Sequence, residues 1–215
     1  MSAIKSESLT GSLDFVFPEY EHPAADPIAL FRDWFANARD QGVREPAALA
    51  LATADARGRA SNRIVVVNSV TPEGLVFTSH ADSRKGRELA ATAWASGLLY
   101  WRETSQQVIL SGPVERLSEE RSEALWAARP LAAHPMSVAS RQSSPLDGLA
   151  EVEALREEAR RLTDAGGPLP RPAGFVGYQL IPSAVEFWYA RPDRLHQRLR
   201  YDRTGDGWTA SRLQP

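Results

Sequence analysis

The segment Ser83-Arg84-Lys85-Gly86-Arg87 contains the residues best suited to bind an anion. Ser83 is a typical N-cap residue, so the sequence predicts that a helix begins here. Because the N-terminus of a helix is the positive end of its dipole, Arg84 and Lys85 in its first turn are unfavourable unless an anion lies nearby. Helix amides and cations together favour a phosphate site. The alternative is that both side chains extend into water and Asp82 offsets their charge.

Basic and apolar residues alternate from Arg194 to Tyr201. If this run is extended, its basic and imidazole side chains share one face, because successive side chains of a strand point to opposite sides. They are Arg194, His196, Arg198 and Arg200. Such a face indicates either an anionic ligand or an exposed edge strand protected by charge. Two glutamine segments, Ser105 to Val108 and Ser140 to Ser144, could bond a heterocycle, but alone they predict nothing.

Several catalytic classes lack their residues in this sequence. There is no nucleophile elbow, P-loop, dinucleotide-binding glycine motif or zinc-protease helix motif. The chain has no cysteine, and its four histidines are far apart without metal-ligand spacing. They are His22, His80, His134 and His196. We therefore expect no metal, no disulfide and no cysteine nucleophile, and we expect isolated histidine side chains.

Composition and charge are typical of one globular domain without a polyanionic partner. The chain has 215 residues, 43% of them hydrophobic, and a net charge of -2. A chain of this length is expected to bury roughly 70% of its surface. Near-neutral charge argues against a nucleic-acid or anionic-membrane partner. No apolar run reaches the roughly 18 residues of a membrane helix, and Met1 to Gly11 lack a signal-peptide core, so we expect a cytoplasmic protein.

We expect an irregular N-terminal arm over residues 1–25 and one domain over residues 26–215. The aromatic residues of the arm predict that it packs on the domain. They are Phe15, Phe17 and Tyr20. Asp26-Pro27 is an N-cap followed by proline at the first helical position, and apolar residues recur at helical spacing up to Gly42.

From Pro46 onward, short apolar runs alternate with turn residues, as in a β-meander. The predicted strands are Ala48–Thr53, Ile64–Val67, Leu75–Thr78, Gly97–Arg102, Gln107–Leu117, Phe175–Ile181, Ala184–Tyr189, Arg198–Asp202 and Gly207–Leu213. Further predicted helices are Ser83–Ala91, Ser118–Ala128 and Asp147–Thr163. Ile64–Val67 is apolar at every position, which predicts that helices or a second subunit cover its outer face. The pattern predicts a mainly β fold with peripheral helices (α+β), a β-barrel in a single domain.

Taken together, these segments resemble the pyridoxamine 5'-phosphate oxidase family. Its members are FMN-binding split β-barrels that form homodimers with the flavin at the subunit interface. Nine segments match in order over most of the chain. They are Arg63–Val67, Phe77–Ser79, Ser83–Lys85, Gln107, Arg129-Pro130, Ser140–Ser143, Glu186–Trp188, Arg194–His196 and Arg212–Pro215. Each match is weak alone, and their common order makes the resemblance specific.

The resemblance implies which residues contact FMN. They are Arg63, Ile64, Val65, Val66, Thr78, Ser79, Arg84, Lys85, Gln107, Gln142, Ser143, Trp188 and Arg198. The cations and hydroxyls of this set suit a phosphate, and the glutamines suit the polar edge of the flavin ring. Arg198 would stabilise the negative charge of the reduced flavin, and Trp188 would form an aromatic wall.

The substrate pocket departs from that of the vitamin B6 oxidases in this family. Those enzymes hold the substrate phosphate with a Lys, a Tyr, an Arg and a Ser. The corresponding residues here are Asn68, Leu125, Arg129 and Ala133. Loss of three ligands removes hydrogen bonds worth roughly 1.5 to 3 kcal/mol each. Oxidation of pyridoxine or pyridoxamine 5'-phosphate stays an alternative, with Trp126 replacing one ligand if the alignment shifts by one residue.

Four stretches resemble the phenazine-biosynthesis branch of the family more closely. They are Glu7–Gly11, Leu99–Gln107, Ala133–Ser137 and Arg198–Arg203. This branch implies an FMN-dependent oxidase that dehydrogenates dihydro-, tetrahydro- or hexahydrophenazine carboxylates. Hydride passes to the flavin, and O2 is the final acceptor, giving hydrogen peroxide. A flat, carboxylated substrate fits a pocket with fewer phosphate ligands.

The resemblance also implies the substrate contacts and the partners. The contacts are Asn68, Arg129, Arg194 and His196. Of these, Arg194 and His196 are the candidate catalytic residues, and His196 could accept an N–H proton from the substrate. The expected partners are the substrate, O2 and a second copy of the chain. Two other classes stay open: a flavin- or haem-binding barrel without catalysis, and a nucleic-acid-binding or scaffold protein without cofactor.

Overall fold

Antiparallel strands dominate residues 15–215, the part of the chain that this computed structural model describes. The strands are β1 (Ala48–Ala54), β2 (Ala60–Thr71), β3 (Gly74–His80), β4 (Trp94–Trp101), β5 (Gln106–Arg116), β6 (Phe175–Leu180), β7 (Ala184–Tyr189), β8 (Gln197–Thr204) and β9 (Gly207–Arg212). The α-helices are α1 (Pro27–Asp40), α2 (Arg84–Thr92), α3 (Glu119–Ala127), α4 (His134–Ala139) and α5 (Gly148–Asp164). Short 3-10 turns lie at Pro18–Tyr20 and Leu131–Ala133.

Strands β1 to β6 close into a barrel. Hydrogen-bonded neighbours follow the order β4-β1-β2-β3-β6-β5, and β4 also pairs with β5. Strand β5 pairs with β6 at residues 114–116 and with β7 at residues 106–111, so its two halves form hydrogen bonds with different strands. Strands β7, β8 and β9 extend the sheet beyond the barrel as a wing. The predicted mainly β, single-domain barrel with peripheral helices is confirmed, and the division between residues 25 and 26 stays a prediction.

Strand β2 has one buried and one exposed apolar face. Val65 and Val67 are 8% and 2% exposed, whereas Ile64 and Val66 are 62% and 63% exposed. The prediction that helices cover the outer face is wrong for the described part of the chain, because these two side chains remain open to solvent. The other alternative, a second subunit on this face, stays a prediction.

The end of the N-terminal arm packs against α1, as predicted. Phe17 is 5% exposed, and its ring lies 4.8 Å from that of Trp34, while Phe15 contacts the same ring edge-on at 5.0 Å. Asp26 is the N-cap of α1 and accepts a hydrogen bond from the Ile28 amide at 2.8 Å. Residues 1–14 are outside the described residues, and so is the predicted match at Glu7–Gly11.

Two elements differ from the predicted ones. Strand β2 extends well beyond residues 64–67 in both directions, because its polar ends still pair with β1 and β3. Helix α4 was not predicted, since six residues beginning His134-Pro135 give too short a periodic signal. Over residues 15–215, no helix is both long and apolar enough to span a membrane.

Candidate cofactor and substrate site

Helix α2 begins where the sequence predicts an anion site. Ser83 is its N-cap, and the Ser83 hydroxyl accepts a hydrogen bond from the Gly86 amide at 3.2 Å. A Cβ at Gly86 would lie 2.3 Å from the backbone oxygen of Ala81, so only glycine allows this approach. The first turn of α2 is thereby held against the end of β3, where Ser79 lies.

Lys85 is buried at this junction, and within residues 15–215 no carboxylate accepts a hydrogen bond from it. The residue is 7% exposed, and its Nζ donates to Ser79 Oγ at 3.0 Å and to Gln142 Oε1 at 3.1 Å. Burial and the nearby charge of Arg63 lower the pKa of Lys85, and the charge of Glu88 opposes this only in part. A buried ammonium with neutral partners favours an anionic ligand at this point.

Glu88 holds the other two cations near Lys85. Its carboxylate accepts hydrogen bonds from Arg84 Nε at 2.9 Å and Arg63 Nη2 at 3.1 Å. It also accepts from Ser61 Oγ at 2.6 Å and Thr53 Oγ1 at 2.5 Å. Burial alone would raise the pKa of Glu88, but these hydrogen bonds lower it to about 2. Sequence reasoning missed Glu88, although its position four residues after Arg84 on a helix was an available signal.

We call Arg63, Arg84, Lys85 and Glu88 the basic cluster. Three cations and one ionised carboxylate leave two positive charges at neutral pH. A phosphate monoester carries about -1.5 to -2 charges at pH 7, so one such group would neutralise the cluster. The residues present therefore fit the phosphate of FMN, with cations, hydroxyls and helix amides as donors.

A cavity of about 210 Å³ lies beside the basic cluster. Its lining includes Thr78, Ser79, Gln142 and Arg129. The Arg129 guanidinium lies 5.6 Å from the Phe175 ring centre, and its Nη2 donates to Ser137 Oγ at 3.3 Å. Its Nε is buried and has no partner among the described residues, and burial lowers the pKa of Arg129. The structure therefore brings one predicted substrate ligand together with three predicted cofactor ligands.

A second group of predicted residues forms a row on the wing. Gln107, Trp188 and Arg198 are direct cross-strand neighbours in β5, β7 and β8, so their side chains point to the same side of the sheet. Arg198 pairs with Glu186, with 2.7 Å between Nη2 and Oε1, and donates to the backbone oxygen of Gln214 at 2.9 Å. Trp188 is 8% exposed. We call Gln107, Trp188 and Arg198 the outer row.

Arg194 and His196 lie in the turn before β8. The extended conformation considered for the run from Arg194 to Tyr201 begins only at Gln197, where β8 starts, so Arg194 and His196 lie outside the predicted and observed strand. Arg194 has a left-handed backbone with φ of 64°, and the amide of Leu195 donates to Asp193 Oδ1 at 3.0 Å. The side chain of Asp193 thus stabilises a turn where the alternating pattern is typical of an extended chain.

His196 nevertheless contacts the outer row. Its ring centre lies 5.0 Å from that of Trp188, and its Nδ1 accepts a hydrogen bond from the Arg191 backbone amide at 3.0 Å. An imidazole that accepts at Nδ1 carries its proton on Nε2 in the neutral form. His196 therefore presents a donor rather than an acceptor at its other nitrogen.

The remaining predicted residues differ in what their side chains can contact. Val65 belongs to the hydrophobic core, so only its backbone is available to a cofactor. Ser143 is exposed beside Gln142, with φ of 70°. Asn68 is exposed near the C-terminal end of β2 and lines a separate cavity against α1.

The predicted cofactor residues fall into two separate places on one chain. Strands β1, β4 and β5 lie between Ile64 of β2 and Trp188 of β7. The path between the two residues around the curved sheet is therefore four strand spacings, or roughly 19 Å. Over residues 15–215, no hydrogen bond, ion pair or ring contact joins the basic cluster to the outer row. The described contacts therefore leave the predicted cofactor residues in two separate groups.

Trp126 has a structural role. It is 2% exposed, its ring stacks on His134 with 4.1 Å between centres, and its Nε1 donates to the Leu169 backbone oxygen at 2.7 Å. Because its N–H is already bonded, Trp126 is not available to replace a lost phosphate ligand. Within the described residues, no group of three or more His, Asp or Glu side chains could hold a metal.

The closed barrel with its wing defines a split β-barrel protein, and the start of α2 is rich in cations. The chain belongs to the pyridoxamine 5'-phosphate oxidase family. Residues 36–164 match the family model of that name. Residues 175–215 match the family model of the pyridoxine 5'-phosphate oxidase C-terminal dimerisation region. The predicted family is confirmed.

Known relatives include both branches of the family. A dihydrophenazinedicarboxylate synthase of Pseudomonas chlororaphis is 52% identical to this chain, and the alignment covers 98% of this chain and 93% of the synthase. A pyridoxine/pyridoxamine 5'-phosphate oxidase of Paraburkholderia phymatum is 44% identical to this chain, and the alignment covers 88% of this chain and 89% of the oxidase. The crystal structure of PhzG from Burkholderia lata 383 in complex with tetrahydrophenazine-1-carboxylic acid matches with a TM-score of 0.91. It is 51% identical and covers 95% of this chain and 100% of that one.

Proposed function

We propose that this chain is an FMN-dependent oxidase of phenazine biosynthesis that dehydrogenates reduced phenazine carboxylic acids. The observation that supports the cofactor is the burial of Lys85 among neutral partners beside Arg63 and Arg84, since these cations, hydroxyls and amides match a phosphate group. The substrate class is supported by the similarity to dihydrophenazinedicarboxylate synthase and to the PhzG complex.

The chain's own residues bind and orient the cofactor. The basic cluster neutralises the phosphate, and Ser79 and Gln142 donate or accept hydrogen bonds beside it. Gln107 bonds the polar edge of the ring, Trp188 packs on it, and Arg198 places a positive charge where negative charge develops on reduction. The chemistry that FMN supplies when bound is acceptance of a hydride from a substrate carbon and return of two electrons to O2, giving hydrogen peroxide.

The substrate residues are donors that suit carboxylates. Arg194 is exposed in the turn before β8, and His196 presents Nε2 as a donor because its Nδ1 already accepts from a backbone amide. We assign both to a substrate carboxylate, and we assign no proton-accepting role to His196. Leu125 and Ala133 stand where vitamin B6 oxidases hold phosphate, so a phosphorylated substrate would lose those bonds.

We further propose that two copies of the chain form each site. The exposed outer face of β2, with Ile64 and Val66, is apolar surface that a second subunit would bury. Strands β8 and β9 lie in the segment that matches a dimerisation region. A two-fold axis would bring the outer row of one subunit to the basic cluster of the other, which unites the two separated groups around one FMN.

The purified protein tests the proposal in two measurements. The first is titration with FMN, for which we expect stoichiometric binding at one FMN per chain. The second is O2 consumption with a reduced phenazine carboxylate and with pyridoxine 5'-phosphate, for which we expect turnover of the first compound and little of the second. A protein that cannot bind FMN, or that consumes O2 only with pyridoxine 5'-phosphate, would overturn the proposal.

A further inference from the structure

A cavity of about 490 Å³ lies between α1 and the C-terminal half of β2. Its polar lining consists of Arg32, Arg39, Asp40, Asn68 and Ser69, and its apolar lining of Phe35, Ala36 and Val70. Asn68 is the residue of this set that the family resemblance implies as a substrate contact. The two arginines and the apolar wall have no role in the function proposed above.

The cavity lies at the end of the outer face of β2, where the family resemblance implies contacts with FMN at Ile64 and Val66. Ile64, Val66 and Asn68 occupy alternate positions on β2, and all three are exposed on its outer face. Asn68 therefore lies about 7 Å beyond Val66 along the strand. The pairing of β2 with β3 shifts register between Val67 and Ser69, and such a bulge redirects the side chain at its centre.

The cavity has more positive than negative charge. Arg32 and Arg39 are both exposed, and neither takes part in any ion pair found within residues 15–215. They are seven residues apart, so they lie on the same face of α1, two turns from each other. The Arg39 guanidinium packs over the Phe35 ring at 4.6 Å, and Asp40 is the one acidic residue of the lining.

We propose that Arg32, Arg39 and Asn68 bind a carboxylate of the polycyclic aromatic substrate, at the end of the molecule away from Arg194 and His196. This inference rests on the proposed function. Vitamin B6 oxidases carry a lysine at position 68 for a phosphate. Asn68 has no charge but can donate an amide hydrogen bond, and the arginines supply the charge with a planar geometry that matches a carboxylate. Phe35 and Val70 provide an apolar wall for a flat ring.

Binding of carboxylated and uncharged ligands of the same shape tests this site. The FMN-loaded wild type, the double variant R32Q/R39Q and the control R57Q are titrated by calorimetry with phenazine-1,6-dicarboxylate and with unsubstituted phenazine. We expect the double variant to bind the dicarboxylate about tenfold or more weakly and phenazine within about twofold of wild type. R57Q also loses one exposed arginine, in the turn after β1, and should match wild type with both ligands.

Two further variants test whether the positive charge of the arginines is what binds the carboxylate. R32K/R39K keeps both charges and should recover most of the lost affinity for the dicarboxylate. N68K restores the charge of the vitamin B6 oxidases and should strengthen binding of the dicarboxylate in the R32Q/R39Q background. If R32Q/R39Q binds the dicarboxylate as wild type does while FMN binding and turnover persist, the carboxylate site is refuted and the proposed function stands. If wild-type protein binds FMN but neither phenazine, both proposals fail.

Discussion

At the scale of single residues, the cations near α2 are of two kinds. Arg63 and Arg84 already share the carboxylate of Glu88, whereas the partners of the buried Lys85 within residues 15–215 are a hydroxyl and an amide. A buried cation without a charged partner is costly in the protein without ligand and is satisfied when an anion binds. Replacement of Lys85 should therefore weaken cofactor binding most and change the free energy of unfolding least.

Replacement of Lys85 by methionine should weaken FMN binding by roughly 10- to 100-fold, because a buried charge-assisted bond to phosphate is lost. The free energy of unfolding of the protein without FMN should be unchanged or higher, since an uncompensated buried charge is removed. Fluorescence titration with FMN and urea unfolding measure the two effects. R87Q removes an exposed cation from the same helix turn and should leave the affinity within about twofold. Equal affinities for K85M and R87Q would contradict the assignment.

Glu88 should make the stability of the protein depend on pH. Its pKa is about 2 in the folded state, compared with the ordinary value of 4.5 that applies to the unfolded chain. Its contribution is therefore fully present above pH 4.5 and is lost as pH falls toward 2. This shift in the pKa of Glu88 corresponds to roughly 3 kcal/mol in the free energy of unfolding. Urea unfolding should show E88Q less stable than wild type by about that amount at pH 7 and by clearly less at pH 3.

The control for Glu88 is the exposed Glu120 on α3. E120Q should change the free energy of unfolding by less than about 0.5 kcal/mol at either pH. If the difference in free energy of unfolding between wild type and E88Q stays constant from pH 7 to pH 3, Glu88 is not the ionised centre of the basic cluster.

At the scale of elements, local sequence signals predicted the position of α2 but not its contacts. Ser83 and Asp26 predicted two helix starts, because an N-cap depends on the residue itself and the amides that follow it. The spacing of Glu88 from Arg84 was visible in the sequence, but its other partners Thr53 and Ser61 were not, since they come from distant strands. Sequence left the conformation at Arg194 open, because residues alternate there as in a strand, and the hydrogen bond from the Leu195 amide to Asp193 stabilises a turn.

Gly86 is the position on which the approach of α2 to the barrel depends. The variant G86A would place a Cβ 2.3 Å from the backbone oxygen of Ala81, so the helix must move away. We expect a loss of about 1–3 kcal/mol in the free energy of unfolding. We also expect weaker FMN binding, because Lys85 moves with the helix. A90G on the exposed side of α2 should cost about 1 kcal/mol through helix propensity alone and should leave FMN affinity unchanged.

The result that would oppose this view is a stable G86A protein with wild-type FMN affinity. The close approach of α2 would then have no part in the site. Thermal unfolding and FMN titration of G86A and A90G, made side by side, distinguish a general loss of helix stability from a displaced first turn.

At the scale of the whole molecule, the main question is why the predicted cofactor residues separate into two groups. Sequence order cannot reveal this, because a resemblance gives contacts without saying which subunit provides each one. The fold shows it through topology: the basic cluster lies on β2 and α2, and the outer row lies on β5, β7 and β8. The apolar outer face of Ile64 and Val66 gives the surface on which a second copy would close.

Subunit mixing tests whether two copies share each site. K85M damages the basic cluster and W188A damages the outer row, so each homodimer has two defective sites. In a mixed dimer both defects meet in one site and the other site is intact. Random reassortment of equal amounts should therefore restore about a quarter of the wild-type sites, measured as tightly bound FMN and as O2 consumption. No recovery after mixing, with mixed dimers shown to form by mass, would refute the shared site.

The central claim is that the bound flavin of this protein takes electrons from a reduced phenazine carboxylate. Anaerobic mixing of the FMN-loaded protein with a reduced phenazine carboxylate in a stopped-flow instrument tests it in a single turnover, with pyridoxine 5'-phosphate as the comparison. We expect rapid bleaching of the flavin absorbance with the phenazine compound, recovery of the absorbance when O2 is admitted, and slow or no bleaching with pyridoxine 5'-phosphate. Bleaching by pyridoxine 5'-phosphate alone would contradict it.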